Sequence, residues 1–151
     1  MKTNKTIWWL GGGLIVLLVF LFSYPKLFGD KISAPGASVP CIIDNLPLIQ
    51  HIHPILAITV DGANETIPAN IGLSGACERA LHTHDATGQI HVEAQDARTY
   101  TLGDFMSVWG KFINRDGYAL KATADETVIA DPQSMILKDG ERIKLEYTKV
   151  N

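Results

Sequence analysis

Residues 81–94 read LHTHDATGQIHVEA, and this stretch predicts the β-hairpin around which the rest of the fold is arranged. Apolar and polar side chains alternate on both sides of the Ala86-Thr87-Gly88 segment, and glycine there is typical of a turn between two strands. In a strand, residues i and i+2 share a face. The spacings His82-Thr-His84 and His91-Val-Glu93 therefore each place two polar side chains together.

The length of the hairpin loop decides which of these side chains lie opposite each other. With a two-residue loop, Thr87-Gly88, His84 faces His91, and in the same register His82 faces Glu93. A four-residue loop keeps the faces and sets His82 opposite His91. A loop of odd length would put the two pairs on opposite faces of the sheet.

A third pair, His51-Ile-His53, completes the histidines of the chain, which all lie between His51 and His91. Converging imidazoles with a carboxylate are the donors of a transition-metal site. Asp85, at the end of the first hairpin strand, is a ligand or an orienting partner of a histidine in this interpretation. The candidate metal ligands are His82, His84, His91, Glu93, His51, His53 and Asp85.

Zinc or copper ranks first as the predicted metal and iron third, because imidazoles with one carboxylate suit these ions. The alternative is that the histidines are ordinary residues of half-exposed strands, with Thr-His-Asp as a hydrogen-bonded turn. We expect His51 and His53 to belong to the site only if their strand pairs beside the hairpin.

Outward from the hairpin, the pattern predicts strands with one helix. Thr101 and Asp104 resemble a capping box that opens a helix through about Ile113. The strands are expected at 52–60, 65–67, 80–84, 89–94, 98–101, 118–121, 127–130 and 142–147, and the helical apolar stripe is Leu102, Phe105, Met106, Trp109 and Phe112. This is an α+β domain, mostly antiparallel, with one packed helix, and a β-grasp-like sheet would fit.

The N-terminus carries an apolar run from Ile7 to Tyr24 that is long enough to span a membrane. Lys2 and Lys5 precede it, which predicts a cytoplasmic tip and a transmembrane anchor over 1–24. Residues 25–40, rich in Pro, Gly and Ser, are the expected linker, and 41–151 the folded domain on the periplasmic or extracellular side. A cleaved signal peptide is the alternative.

The charge of the predicted domain limits the class of partner. From Val39 onward the chain has 15 Asp and Glu against 9 Lys and Arg, which argues against nucleic acid as a partner. Membrane lipid, contacted through the N-terminal helix, and an envelope or membrane protein are the expected partners.

Cys41 and Cys77 are expected to form a disulfide, with two buried thiols or ligation by Cys77 as alternatives.

The strings HIHP (51–54), LHTHDATGQIHVE (81–93) and YTLGDFMSVWG (100–110) together resemble an exported, membrane-anchored domain of uncharacterised proteins from bacteria and archaea. The resemblance covers about His51 to Lys111. It implies a discrete domain type, and it transfers no activity, cofactor or catalytic residue.

The sequence therefore predicts a membrane-tethered extracytoplasmic domain that binds a transition metal for sensing, sequestration or delivery. The alternative is a non-enzymatic accessory or interaction subunit of an envelope complex, in which the histidines are structural. An enzyme ranks third, because no Ser-His-Asp, Cys-His, phosphate-loop or HExxH signature accompanies the histidines.

Overall fold

Three β-sheets and one helix form the domain in the computed structural model, which describes residues 38–150. The predicted anchor at 1–24 and nearly all of the predicted linker lie outside the described residues. Within 38–150, no helix is long and apolar enough to cross a membrane. The elements are β1 (Gln50–Ile52), β2 (Ile55–Val60), β3 (Ala63–Glu65), β4 (Leu73–Ser74), β5 (Cys77–Glu78), β6 (Leu81–His82), β7 (His91–Ala94), α1 (Leu102–Trp109), β8 (Tyr118–Ala124), β9 (Thr127–Val128) and β10 (Arg142–Lys149).

The largest sheet has the strand order β3-β2-β10-β8-β9. Its last strand, β10, lies between β2 and β8, parallel to the first and antiparallel to the second. Ile143, Leu145 and Tyr147 of β10 are buried and alternate with solvent-facing residues, as their spacing predicted. The predicted α+β class, mostly antiparallel with one helix, is confirmed.

A second sheet, ordered β1-β7-β6, starts where the expected strand 52–60 breaks in two. The prediction of one continuous strand was wrong, because the chain changes sheets at His53-Pro54. The His53 N–H donates to Asp139 Oδ1 (2.9 Å) rather than to a neighbouring strand. Pro54 has no N–H to donate, and its carbonyl accepts from the Ile90 N–H (2.9 Å).

The helix α1 begins at the predicted capping box. Thr101 Oγ1 accepts from the Asp104 N–H (3.1 Å), and Asp104 Oδ2 accepts from the Thr101 N–H (3.0 Å). The helix ends at Trp109, four residues before the expected end, because Gly110 adopts a left-handed conformation with φ 76°. Phe112 therefore leaves the apolar stripe and is 86% exposed, whereas Phe105 and Met106 are buried.

A disulfide between Cys41 and Cys77 joins the start of the described chain to β5, with the Cα atoms 5.3 Å apart. Composition had assigned Val39 and Pro40 to the linker. In the structure Val39 is fully buried, and the Pro40 carbonyl accepts from the Ala80 N–H (2.9 Å). The segment before β1 is thus held against the strand that leads into β6.

Candidate metal centre

Strand β7 lies at the centre of the second sheet and pairs with a histidine on each side. Its His91 is directly opposite His82 of β6, and its Glu93 is directly opposite His51 of β1. Because side chains alternate along a strand, these four lie on one face of the sheet, while Val92 enters the core on the other. β1 does pair beside the hairpin, which was the condition for His51 and His53 to belong to the site.

The pairing of His82 with His91 is the register that we associated with a four-residue loop. The connection in the structure, residues 83–90, is longer, and two contacts hold it. Thr83 is fully buried, and its Oγ1 donates to the Pro68 carbonyl (2.8 Å). The Gly88 carbonyl accepts from the Leu56 N–H (2.8 Å), and because Gly88 has φ 84° and a Cβ there would lie 2.2 Å from the Leu56 carbonyl oxygen, only glycine fits this contact. The path of this loop places His84 above the strand face rather than within β6.

The result is a continuous group of imidazoles, which we call the histidine cluster: His51, His53, His82, His84 and His91, together with Glu93. The centroid distances between neighbouring rings are 4.8 Å for His51–His53, 4.7 Å for His53–His91, 4.5 Å for His84–His91, 4.7 Å for His82–His84 and 5.2 Å for His82–His91. Every histidine of the chain is in contact with another.

His82 is the most constrained member of the cluster. Its side chain has no exposed surface, and Nδ1 lies 2.9 Å from the Arg79 carbonyl oxygen. Because a carbonyl can only accept, Nδ1 carries the proton, and the neutral ring leaves an unprotonated Nε2. Burial lowers the pKa of His82 below its ordinary value, opposed in part by that backbone hydrogen bond and by the carboxylate of Glu78.

The unprotonated Nε2 of His82 faces two other atoms that can ligate a metal. It lies 3.1 Å from His84 Nε2 and 3.2 Å from Glu78 Oε1. A carboxylate oxygen beside an unprotonated ring nitrogen brings two electron-rich atoms together, and a cation between them stabilises such a pair. Two nitrogen ligands on a tetrahedral zinc ion, at about 2.0–2.1 Å from the metal, are about 3.3 Å apart. The nitrogens of His82 and His84 are already near that separation.

Glu93 contacts two histidines of the cluster through one carboxylate oxygen. Its Oε1 lies 3.2 Å from His91 Nδ1 and 3.3 Å from His51 Nε2. Burial lowers the pKa of His91, and the hydrogen bond to Glu93 opposes this shift. A carboxylate held against a histidine ring orients the other ring nitrogen toward a metal, so Glu93 suits either ligation or this orienting role.

Two overlapping groups can each hold a metal ion, with donor atoms that lie within 4.8 Å of one another. The inner group is His82, His84, His91 and Glu93, and the outer group is His51, His53, His91 and Glu93. Four donors would close a tetrahedral site. If Glu93 only orients His91, the inner group leaves a fourth position for water, which is the arrangement of catalytic zinc sites.

Asp85 and Cys77 lie outside both groups. Asp85 is exposed, and its Oδ1 accepts from the Thr87 backbone N–H (2.9 Å) and from the Thr87 hydroxyl, which lowers the pKa of Asp85 mainly through the side-chain hydrogen bond. It therefore shapes the loop turn as an Asx motif. Cys77 is bonded to Cys41 and offers no thiolate.

Glu78 is the site residue that sequence reasoning missed. It lies on β5, and only the short β4–β5 hairpin and the chain turn at Arg79 bring it back to His82. The one local signal is its position four residues before a histidine; in a single strand the two residues would share a face but lie about 13 Å apart, so the spacing does not predict their contact.

The chain matches no protein-family model, no curated protein and no solved structure. Function therefore has to be inferred from the chemistry of the histidine cluster itself.

Proposed function

We propose that this protein binds a transition-metal ion through the histidine cluster, for sensing, sequestration or delivery of the metal. The observation that carries the proposal is His82. Its buried ring is held in the neutral form, with Nδ1–H committed to the Arg79 carbonyl and Nε2 directed at His84 and Glu78. A neutral imidazole oriented through its second nitrogen is the form in which histidine binds metals.

The alternative of purely structural histidines explains less of the geometry. A structural role accounts for the hydrogen bond from His82 to Arg79, but not for four further imidazoles gathered on the same face. Imidazoles that keep a lone pair on one ring nitrogen can share a cation, whereas protonated rings would only repel one another and the cation. A bound metal ion therefore gives a reason for gathering five imidazoles that a structural role lacks.

Zinc or copper(II) is the proposed ion, with iron third. Up to three imidazoles and one carboxylate in a group suit these borderline ions better than magnesium or calcium, which prefer oxygen donors. The described cysteines are bonded to each other, so a thiolate-rich copper(I) site does not compete among residues 38–150.

The proposed location is the outer side of a membrane, with the chain tethered to lipid by the span over 1–24 and its N-terminus inside. The apolar run after Lys2 and Lys5 supports the tether. The disulfide supports export, because disulfides persist in oxidising compartments and are rare in the cytosol.

The proposed fold type is β-grasp-like, which is supported by a hairpin, one helix and a final strand parallel to the first strand of the large sheet.

A second candidate is an accessory subunit that docks on an envelope or membrane protein. Its support is a run of exposed apolar side chains directly after Cys41, namely Ile43, Leu46, Leu48 and Ile49. Such a run, a few residues from the proposed linker, would face a partner anchored in the same membrane. This function needs no metal.

Metal content separates the two candidates. The full chain, purified in mild detergent without a His tag, is analysed for metals and titrated calorimetrically with Zn(II) and Cu(II). We expect bound metal, and a loss of affinity beyond about 100-fold in a His82→Ala/His84→Ala variant whose fold is verified by circular dichroism, since removal of a group that only orients a ligand costs about 10–100-fold. Glu126→Gln, which alters an exposed carboxylate outside both groups, is the control and should bind metal as the wild type does. Equal, weak binding by the wild type and the double variant would contradict metal binding.

A further inference from the structure

The donors of the histidine cluster are divided between two environments. On the inner side, His82 is fully buried and lies beside Glu78. On the outer side, the side chain of His51 is 55% exposed and stacks edge-on with His53. The inner pair is His82 and His84, and the outer pair is His51 and His53. Within residues 38–150, no group of ligand atoms that lie within 4.8 Å of one another contains both pairs, so one ion cannot contact both.

Glu93 and His91 lie between the two sides and contact both. Oε1 of Glu93 lies 3.2 Å from Nδ1 of His91 and 3.3 Å from Nε2 of the outer His51, and a carboxylate oxygen of Glu93 lies within 4.8 Å of the donor nitrogens of the inner His82 and His84. The ring of His91 contacts His53 on one side and His84 on the other. A carboxylate with two oxygens is the common bridge between paired metal ions, which lie about 3.5–4 Å apart in two-metal sites.

We propose that the cluster holds two metal ions, an inner one on His82 and His84 and an outer one on His51 and His53, bridged by Glu93. His91 completes the inner ion's ligands. This inference rests on the proposed function, because it specifies how many ions the same cluster binds and where. The inner ion binds more tightly, since the ring of His82 is buried and oriented by the Arg79 carbonyl, whereas His51 is exposed and the second cation is repelled by the first.

The test counts ions per chain. The full chain is stripped with a chelator, loaded with excess Zn(II) or Cu(II), desalted and weighed by native mass spectrometry. We expect two ions in the wild type and in the Glu126→Gln control, and one in the His51→Ala/His53→Ala variant, with the affinity of the tighter ion unchanged. With Cu(II), electron paramagnetic resonance should show spin coupling in the wild type and an isolated-ion spectrum in that variant.

His84→Ala tests the inner ion, because His84 is exposed whereas replacement of the buried His82 can unfold the domain. We expect the tighter affinity to be lost and the weaker one to remain. One ion in the wild type that is unaffected by His51→Ala/His53→Ala would overturn the paired site and leave the proposed function standing. Two ions in that variant, or an unchanged tight affinity in His84→Ala, would overturn the assignment. A wild type without any ion would overturn both proposals.

Discussion

The imidazole rings of His82 and His91 are stacked, with their centroids 5.2 Å apart and their planes 16° from parallel. They stack because the two residues are directly paired across β6 and β7. Two positively charged rings at this distance would repel each other, and burial lowers the pKa of both. The pair is therefore built to remain neutral, and neutral imidazoles are competent metal ligands.

Acid should destabilise the metal-free protein below about pH 6.5. In the unfolded chain histidine has its ordinary pKa of about 6.5, whereas burial holds the pKa of His82 and His91 lower in the folded state. The unfolded chain then binds more protons between these values, so the free energy of unfolding falls as the pH drops through that window. Above the ordinary pKa this contribution is fully present.

Urea denaturation with chelator present, at steps from pH 8 to pH 5, measures this effect. Thr101→Ala serves as control, because loss of a helix cap lowers stability by a similar amount at every pH in that range. A free energy of unfolding that rises as the pH falls from 7 to 5.5 would contradict the neutral buried pair.

Loss of the disulfide should weaken both stability and metal binding. The bond closes a loop with a sequence separation of 36 residues, which on the chain-entropy model stabilises the fold by about 4 kcal/mol. It also holds the strand that supplies Glu78 and the Arg79 carbonyl to His82. We expect a lower free energy of unfolding, measured by denaturant titration, and a lower metal affinity, measured by calorimetry. Both losses should appear in Cys41→Ser/Cys77→Ser and in the reduced wild type. Unchanged metal affinity in the folded double variant would separate the disulfide from the site.

Glu78→Gln should reduce metal affinity by about 10–100-fold, the range observed for groups that orient or neutralise metal ligands. The substitution keeps the shape of the side chain and removes the charge that lies 3.2 Å from His82 Nε2. Calorimetric titration of Zn(II) into this variant and into Glu126→Gln gives the comparison. Identical affinities in the two variants would exclude Glu78 from the site.

Thr101→Ala should cost about 1 kcal/mol of stability without affecting the histidine cluster. The substitution removes the Oγ1 acceptor of the Asp104 N–H and so breaks the capping box of α1. Chemical denaturation of the variant measures the loss, and its Zn(II) affinity should equal that of the wild type. A large fall in affinity would mean that the helix start is coupled to the cluster.

Local features of the fold were predictable because they depend on residues close in sequence. The capping box needs only Thr101 and Asp104, and the turn between β2 and β3 needs only Asp61 and Gly62, both of which have positive φ. The helix end was not predicted, because the apolar spacing continued to Phe112 and the stop depends on Gly110 adopting a left-handed conformation.

The candidate site was only partly predictable, for the same reason. The i, i+2 spacing of the hairpin histidines was enough to expect them on one face, provided that the loop kept their parity. It was not enough to choose between the two registers, since both satisfy the same alternation. Glu78 and the Arg79 carbonyl were invisible, because the β4–β5 turn that returns them to His82 carries no chemical pattern of its own.

The sequence by itself determined the short-range periodicity of this protein: alternating strands, a capped helix and histidine pairs whose members share a face. Backbone geometry sets those relations over two to four residues, whatever the rest of the chain does. Only the tertiary structure decided that the expected strand breaks at Pro54 and that its first part, β1, pairs with β7, which places His51 opposite Glu93. That pairing joins distant segments, and burial of a common core, rather than any local preference, selects it.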